Sequence, residues 1–212
     1  MMSEFWESNF KEKQAMWGYE PTDIAKSTAA FFKEKRLQEI LIPGIGYGRN
    51  AKPFIENGMQ VTGIEISKTA VELAEVIYGN LILVYLGSVL DKPIEQKKYD
   101  GIFCYALIHL LEYNERLKLI KTCYEQLKSK GIMIFVSISS NDAKYGKGEL
   151  ISKNRFETPH GVNLFFYDEE LIIEEFKDFG IIKVEEINEP KNISEDKPNQ
   201  KFWVITCKKG DR

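Results

Sequence analysis

Apolar residues recur along the chain in two alternating rhythms. Short, nearly continuous apolar runs read as buried strands: "QEILIP" (38–43), "QVTGIEI" (60–66), "NLILVYLG" (80–87), "YDGIFCYAL" (99–107) and "GIMIFVSIS" (131–139). Between them lie segments whose apolar positions fall three and four apart, the spacing of a helix with one buried face. "NAKPFIENG" reads as a helix closing on Gly58, and "KTAVELAEVIY" (68–78) is apolar at 71, 73, 74, 76 and 77. "NERLKLIKTCYEQLKS" (114–129) is apolar at 117, 119, 120, 123, 124 and 127. Ahead of the first strand, residues 5–35 read as helical with a break at "WGYEP", where Gly18 and Pro21 punctuate.

Strands that are apolar throughout, alternating with helices, imply a parallel sheet covered on both faces. The tail departs from this. After the helix "EELIIEEFKDFG", the runs "IIKVEEIN" (181–188) and "KFWVITCK" (201–208) are separated by a polar stretch too short for a crossover helix, so they pair antiparallel. The expected fold is α/β: a doubly wound, Rossmann-like, mostly parallel sheet ending in a C-terminal antiparallel hairpin. One domain spans 1–212, with a helical lid (1–36), a core (37–139), a substrate-side segment (140–167) and a C-terminal helix and hairpin (168–212). Residues 140–167 show no clear period and read as a long loop, functional or disordered.

Composition narrows the partners. The 212 residues carry a formal net charge of −3 with both signs interspersed, which argues against a nucleic-acid surface. No apolar run reaches membrane-spanning length, and "MMSEFWESNF" lacks the pattern of a signal peptide. Cys104, Cys123 and Cys207 are odd in number and widely spaced, which fits a reduced cytoplasm. With only His109 and His160 beside them, no metal-ligand spacing forms and no metal is expected. The sequon Asn192-Ile193-Ser194 has no meaning without secretion.

The chemistry concentrates in "ILIPGIGYGRN" (40–50). Gly44, Gly46 and Gly48 follow the first strand and open a helix, where they permit a tight turn and a close approach of ligand to backbone. Asn50 is a candidate cap for that helix, which would put Pro53 at its third position. Glu65 ends the second strand about 20 residues beyond the first glycine, the place of a ribose-binding carboxylate. A nucleoside-containing cofactor follows from that pair. A dinucleotide loop needs G-x-G-x-x-G; counted from Gly44 or Gly46 its last glycine falls on Arg49 or Ala51, which disfavours NAD or FAD.

These stretches, together with "VTGIEIS", "YDGIFCYALIHLL" and "LKSKGIMIFVS", resemble the class I S-adenosylmethionine-dependent methyltransferases over nearly the whole chain. The "GRN" continuation and the aromatic-rich N-terminal segment are similar to the small-molecule branch that includes tellurite-resistance and thiopurine methyltransferases. The resemblance implies S-adenosylmethionine as cofactor, held by Trp17, Gly44, Gly46, Gly48, Arg49, Asn50, Glu65, Ile66, Ser88, Val89, Tyr105 and Ala106. It implies in-line methyl transfer to a nucleophilic oxygen, nitrogen or sulfur of a small molecule. The family often has an acid two residues before the first glycine, where this chain has Ile42, and an aspartate after the third strand, where it has Ser88. Arg49 is then the candidate partner for the methionine carboxylate, and Ser88 for the adenine amino group.

Other residues carry two readings. His109 and Tyr105 are the catalytic candidates; His109 is either a general base or a packing residue of the following helix. Trp6, Phe10, Trp17 and Tyr19 either fold over the cofactor or pack as ordinary helix residues, Trp17 being the preferred cofactor contact. Tyr145 and His160 are candidate substrate contacts or solvated loop residues. Asp100 reads as structural at the entry to the fourth strand, and Cys104 as core. The alternatives in function are a protein methyltransferase, a nicotinamide-dependent oxidoreductase and a non-catalytic S-adenosylmethionine-binding protein.

Overall fold

The computed structural model describes residues 2–91, 97–191 and 199–211. The 192–194 sequon lies outside them. Two helices lead: α1 (Met2–Lys13) and α2 (Asp23–Glu34). The alternating core follows as β1 (Glu39–Pro43), α3 (Lys52–Glu56), β2 (Gln60–Glu65), α4 (Lys68–Tyr78), β3 (Ile82–Leu86), β4 (Tyr99–Tyr105), α5 (Tyr113–Gln126) and β5 (Leu127–Ile138). Three short strands come next, β6 (Glu149–Ser152), β7 (Arg155–Glu157) and β8 (Asn163–Phe165), and then α6 (Glu169–Phe176), β9 (Ile181–Glu189) and β10 (Gln200–Lys208).

The main sheet runs β3-β2-β1-β4-β5-β10-β9. β1 to β5 pair parallel, while β10 pairs antiparallel with both β5 and β9. The expected hairpin is present, with its second strand inserted between β5 and the edge.

Each central strand feeds two cores, because successive side chains leave opposite faces of a strand. Ile40, Ile42 and Phe103 pack with Phe32 of α2 and Phe54 of α3. Leu41, Ile102 and Cys104 pack with Leu119 and Cys123 of α5 and Phe176 of α6. All three cysteines are buried and unpaired. On the α5–α6 face the guanidinium of Arg116 donates to Glu175 at 2.7 Å and lies 3.7 Å over the Phe165 ring, and Tyr167 donates to the same carboxylate at 2.6 Å.

Asp100 is structural, as expected: its Oδ2 accepts from the amides of Gln38 and Glu39, and Oδ1 meets Lys128 at 2.9 Å. The 140–167 segment corrects the expectation of an aperiodic loop. It folds into an antiparallel sheet, β6-β7-β8. Its strands span three or four residues, too short for alternation to register. No helix among the described residues is long and apolar enough to cross a membrane.

Candidate functional site

β1 and β4 are neighbours at the centre of the sheet, and the chain leaves their carboxyl ends in opposite directions along the strand order. A crevice opens at such a switch point. The glycine loop after β1 and the Tyr105–Leu111 segment after β4 form its two sides.

Gly44, Gly46 and Gly48 all adopt positive φ, at 66°, 58° and 83°. At Gly48 the requirement is double: a Cβ would stand 2.6 Å from the Tyr78 ring, whose hydroxyl donates to the Gly48 carbonyl at 2.9 Å. The loop then makes a 3-10 turn at Arg49–Ala51 before α3. Asn50 does not cap this helix. Its Oδ1 accepts from the amide and hydroxyl of Thr22, at 3.0 and 3.1 Å, and so ties the loop to the start of α2. Pro53 lies in the first turn of α3, at the second position and not the expected third, because the helix starts at Lys52 with Ala51, one residue later than Asn50, as its cap.

Glu65 is buried at the end of β2. Its Oε1 accepts from the amides of Ile66 and Ser67, at 2.8 and 2.9 Å, and its Oε2 from Gly46 at 2.9 Å. A carboxylate offers about four acceptor positions, so one remains for a ligand hydroxyl. Burial raises its pKa above the usual carboxylate value, against the three amide bonds, which favour the charged form. Beside it, Ile66 and Leu86 expose apolar surface to a groove of about 380 Å³ that Gly87 also lines. A buried acceptor next to an apolar slot fits a ribose followed by a flat base. Ser88 follows Gly87 in the chain, and its Oγ already accepts from the Leu90 amide at 3.1 Å. Val89 turns back to pack on the sheet core.

The N-terminal segment closes over the loop. Phe10 is buried, and its ring lies 3.7 Å from where a Cβ on Gly46 would sit. Tyr47, between two of the glycines, is buried against Phe10 and stacks on Trp17, with centroids 6.3 Å apart. Its hydroxyl donates to the Gly18 carbonyl at 2.7 Å and accepts from the Trp17 amide at 3.2 Å. Arg49 Nη1 donates to the Trp17 carbonyl at 3.0 Å. Trp17 thus keeps half its surface exposed while its backbone is pinned from both sides; Tyr19 is exposed.

On the β4 side, Ala106 holds a positive φ of 53°, and its amide donates to the Val136 carbonyl at 2.9 Å. A non-glycine residue in that region costs on the order of 1 kcal/mol. Tyr105 packs between Phe103 and Phe202. Burial, reinforced by Glu189, raises its pKa, with Arg49 opposing, so the phenol stays protonated.

His109 is 6% exposed, and its Nδ1 accepts from the Ile138 amide at 3.2 Å. Burial, with Lys144 adding to it, depresses its pKa to about 3. A ring in that state does not take a proton near neutral pH, so the geometry opposes the general-base expectation and fits the packing one. The sequence left the two open because burial was not countable from it. Tyr145 donates to Asn154 at 2.8 Å, within the small-sheet region, and His160 sits at an exposed turn. Among the described residues, no group of three or more histidine, cysteine or acidic side chains gathers as a metal site would.

Three contributors escaped the sequence reading. Tyr47 carried a signal, an aromatic side chain between glycines where none is needed for the turn. Ser67 had the signature of a helix cap, and its Oγ accepts from the Ala70 amide at 3.2 Å. Glu7 had none, since it reaches the site only through the packing of α1 on α4.

Residues 41–135 match a family model described as a methyltransferase domain. The ubiquinone biosynthesis O-methyltransferase of Rickettsia akari is 26% identical over 132 residues, which is 61% of this chain and 52% of that protein. The chain spans about half the length of the curated relatives it matches. Among solved structures, the Burkholderia thailandensis 1,6-didemethyltoxoflavin-N1-methyltransferase, with its substrate and S-adenosylhomocysteine bound, aligns with a TM-score of 0.74 at 16% identity, over 99% of this chain and 88% of that one. TehB from Haemophilus influenzae aligns with a TM-score of 0.66 at 19% identity, over 96% of this chain and 67% of that one.

Proposed function

We propose that the chain is a class I S-adenosylmethionine-dependent methyltransferase, a reading supported by the methyltransferase-domain match over residues 41–135, and that it transfers a methyl group in line to a nucleophilic oxygen, nitrogen or sulfur of a small molecule in the cytoplasm. The observation that carries this reading is the buried Glu65 carboxylate beside the apolar Ile66–Leu86 slot, facing the glycine loop at the switch point. When bound, S-adenosylmethionine supplies an electrophilic methyl on a positively charged sulfur. Glu65 holds a ribose hydroxyl through its remaining acceptor position, Ile66 and Leu86 flank the base, and Gly46 lets the ligand approach the loop backbone. Arg49 has guanidinium N–H groups beyond the one used on Trp17 and takes the methionine carboxylate.

With an activated methyl donor, the protein's task is to position the acceptor and exclude water. Tyr105 and Phe202 supply an apolar, aromatic wall for that purpose. We assign no general base to His109; it anchors the Ile138 amide, and the acceptor brings its own nucleophile or loses its proton to water. A small acceptor fits the names of the relatives, ubiquinone biosynthesis O-methyltransferase and 1,6-didemethyltoxoflavin-N1-methyltransferase. Two carboxylates, Glu7 and Glu65, crowd the start of α4. They repel a phosphate there and so disfavour a phosphorylated dinucleotide.

Titration calorimetry with S-adenosylmethionine, S-adenosylhomocysteine and NADH tests the cofactor. We expect binding of the first two and none of the third; tight NADH binding would overturn the reading. A labelled-methyl screen over metabolite pools then identifies the acceptor.

A further inference from the structure

α1 does more than cover the site. Its Glu7 reaches the first turn of α4, where Oε2 accepts from the Ser67 hydroxyl at 2.7 Å and from the Thr69 amide at 3.1 Å. Oε1 accepts from the Thr69 hydroxyl at 2.8 Å, and Lys11 closes the outer side at 3.2 Å. These bonds hold the Glu7 carboxyl down to about 2, the Ser67 hydroxyl first among them. The carboxylate therefore satisfies donors that a helix start leaves open, and it does so from another helix.

Ser67 is the joint. Its backbone amide donates to Glu65 Oε1 at 2.9 Å while its hydroxyl donates to Glu7. With that single proton committed to Glu7, the hydroxyl lone pairs face inward, and one accepts from the Ala70 amide. One chain of hydrogen bonds thus runs from α1 through Glu7 and Ser67 to the Glu65 carboxylate. The same helix borders the slot: Glu4 and Glu7 line one side of the groove, with Ile66, Leu86 and Gly87 on the other. Phe10, one turn along, is buried between Tyr47 of the glycine loop and Ala70 of α4. Both walls of the nucleoside slot are therefore held by α1.

We infer that Glu7 is a cofactor-positioning residue: acting through Ser67 and Thr69, it fixes the turn that carries Glu65 and Ile66 and so sets affinity for the nucleoside half of the cofactor. The inference rests on the S-adenosylmethionine reading above and adds a residue outside the glycine loop and the strand ends. Since Glu7 acts at the ribose and base, its loss must weaken ligands that share only the nucleoside. Side-chain geometry, more than charge, is what the turn needs. Glutamine keeps an acceptor for Ser67 and the Thr69 amide, and the Thr69 hydroxyl can rotate to accept from the new amide.

The test measures dissociation constants of S-adenosylhomocysteine and 5′-methylthioadenosine, well below the melting temperature, for the full chain and three variants. Glu7→Ala is expected to weaken both ligands by the same factor of about ten, the scale of one charge-assisted hydrogen bond. Glu7→Gln should stay within about threefold of the parent, and Thr69→Val should weaken both ligands about threefold. A lower melting temperature with unchanged affinities would make Glu7 merely structural and overturn the inference. So would a loss confined to S-adenosylhomocysteine. If Glu7→Ala does not fold, unchanged affinities in Thr69→Val overturn it alone. Failure of the parent protein to bind either ligand would instead refute the methyltransferase reading, and this inference with it.

Discussion

Glu65→Gln separates the two tasks of the buried carboxylate. In the folded chain its oxygens accept three backbone amides, from Ile66 and Ser67 on one side and Gly46 on the other. Glutamine can present its carbonyl oxygen to one side only. The better choice keeps Ile66 and Ser67 satisfied and turns the amide nitrogen toward Gly46, donor against donor at a separation now 2.9 Å. A buried donor left unmade costs about 1–3 kcal/mol, so the variant should lose about 2 kcal/mol of stability. For a chain of this size that corresponds to roughly 4–8 °C in melting temperature.

Cofactor affinity should fall further, about 10- to 100-fold, because the ribose loses a charged acceptor worth about 1.5–3 kcal/mol. The pH dependence has a definite sign. Burial raises the Glu65 pKa above its ordinary value of 4.5, so the folded chain without cofactor takes up this proton more readily than the unfolded chain does. Its protonation therefore contributes stability that is full below the unfolded value and is lost as pH rises through the raised folded value. A ribose hydroxyl donates to the ionised form, so affinity in the parent protein should weaken as pH falls toward and through that raised value. The variant's affinity should be flat over the same range. Urea unfolding and calorimetric titration at several pH values read both effects. Equal unfolding midpoints together with equal S-adenosylhomocysteine affinity would refute the reasoning.

His109 gives a second pH-dependent outcome. Its folded pKa is depressed to about 3 from 6.5, so its contribution to stability is full above pH 6.5 and lost as pH falls toward 3. Between pH 7 and 5 the loss is roughly 2 kcal/mol, and His109→Gln should abolish that part of the slope in urea midpoints while leaving cofactor affinity near that of the parent; an unchanged slope would show that the ring is not buried neutral. Arg116→Met strips Glu175 of its buried cation and should cost about 3–5 kcal/mol, measured by chemical denaturation. The double variant Arg116→Met with Glu175→Gln should recover much of that loss, and no recovery would show that the charges do not act as a pair.

Much of the architecture was legible in the chain. Five apolar runs became β1 to β5, and the polar stretch near 190–199, too short in sequence for a crossover helix, marked the reversal of β10 within the main sheet. The glycine loop and Glu65 were legible for a related reason. Three positive-φ positions in one turn favour glycine, and an acid that closes a strand onto neighbouring amides sits at the strand's end, so both leave local marks. His109 shows where local marks end. Its residue type fits a base and a packing group equally, and the features that favour packing, the Ile138 amide on its ring and the surrounding burial, belong to the folded chain alone. Asn50 is similar: its place predicted a helix cap, yet Thr22, 28 positions earlier, supplies donors that win its oxygen. The small sheet within 140–167 was hidden because strands of three or four residues owe their form to pairing rather than to pattern. Glu7 was hidden most completely. Nothing near it in sequence marks a ligand, and it acquires its place only when α1 docks on α4, some 60 residues along the chain. Periodicity and loop chemistry are properties of neighbours in sequence; protonation state, cap partners and the closing of the site depend on which distant segments meet, and that is settled only by folding.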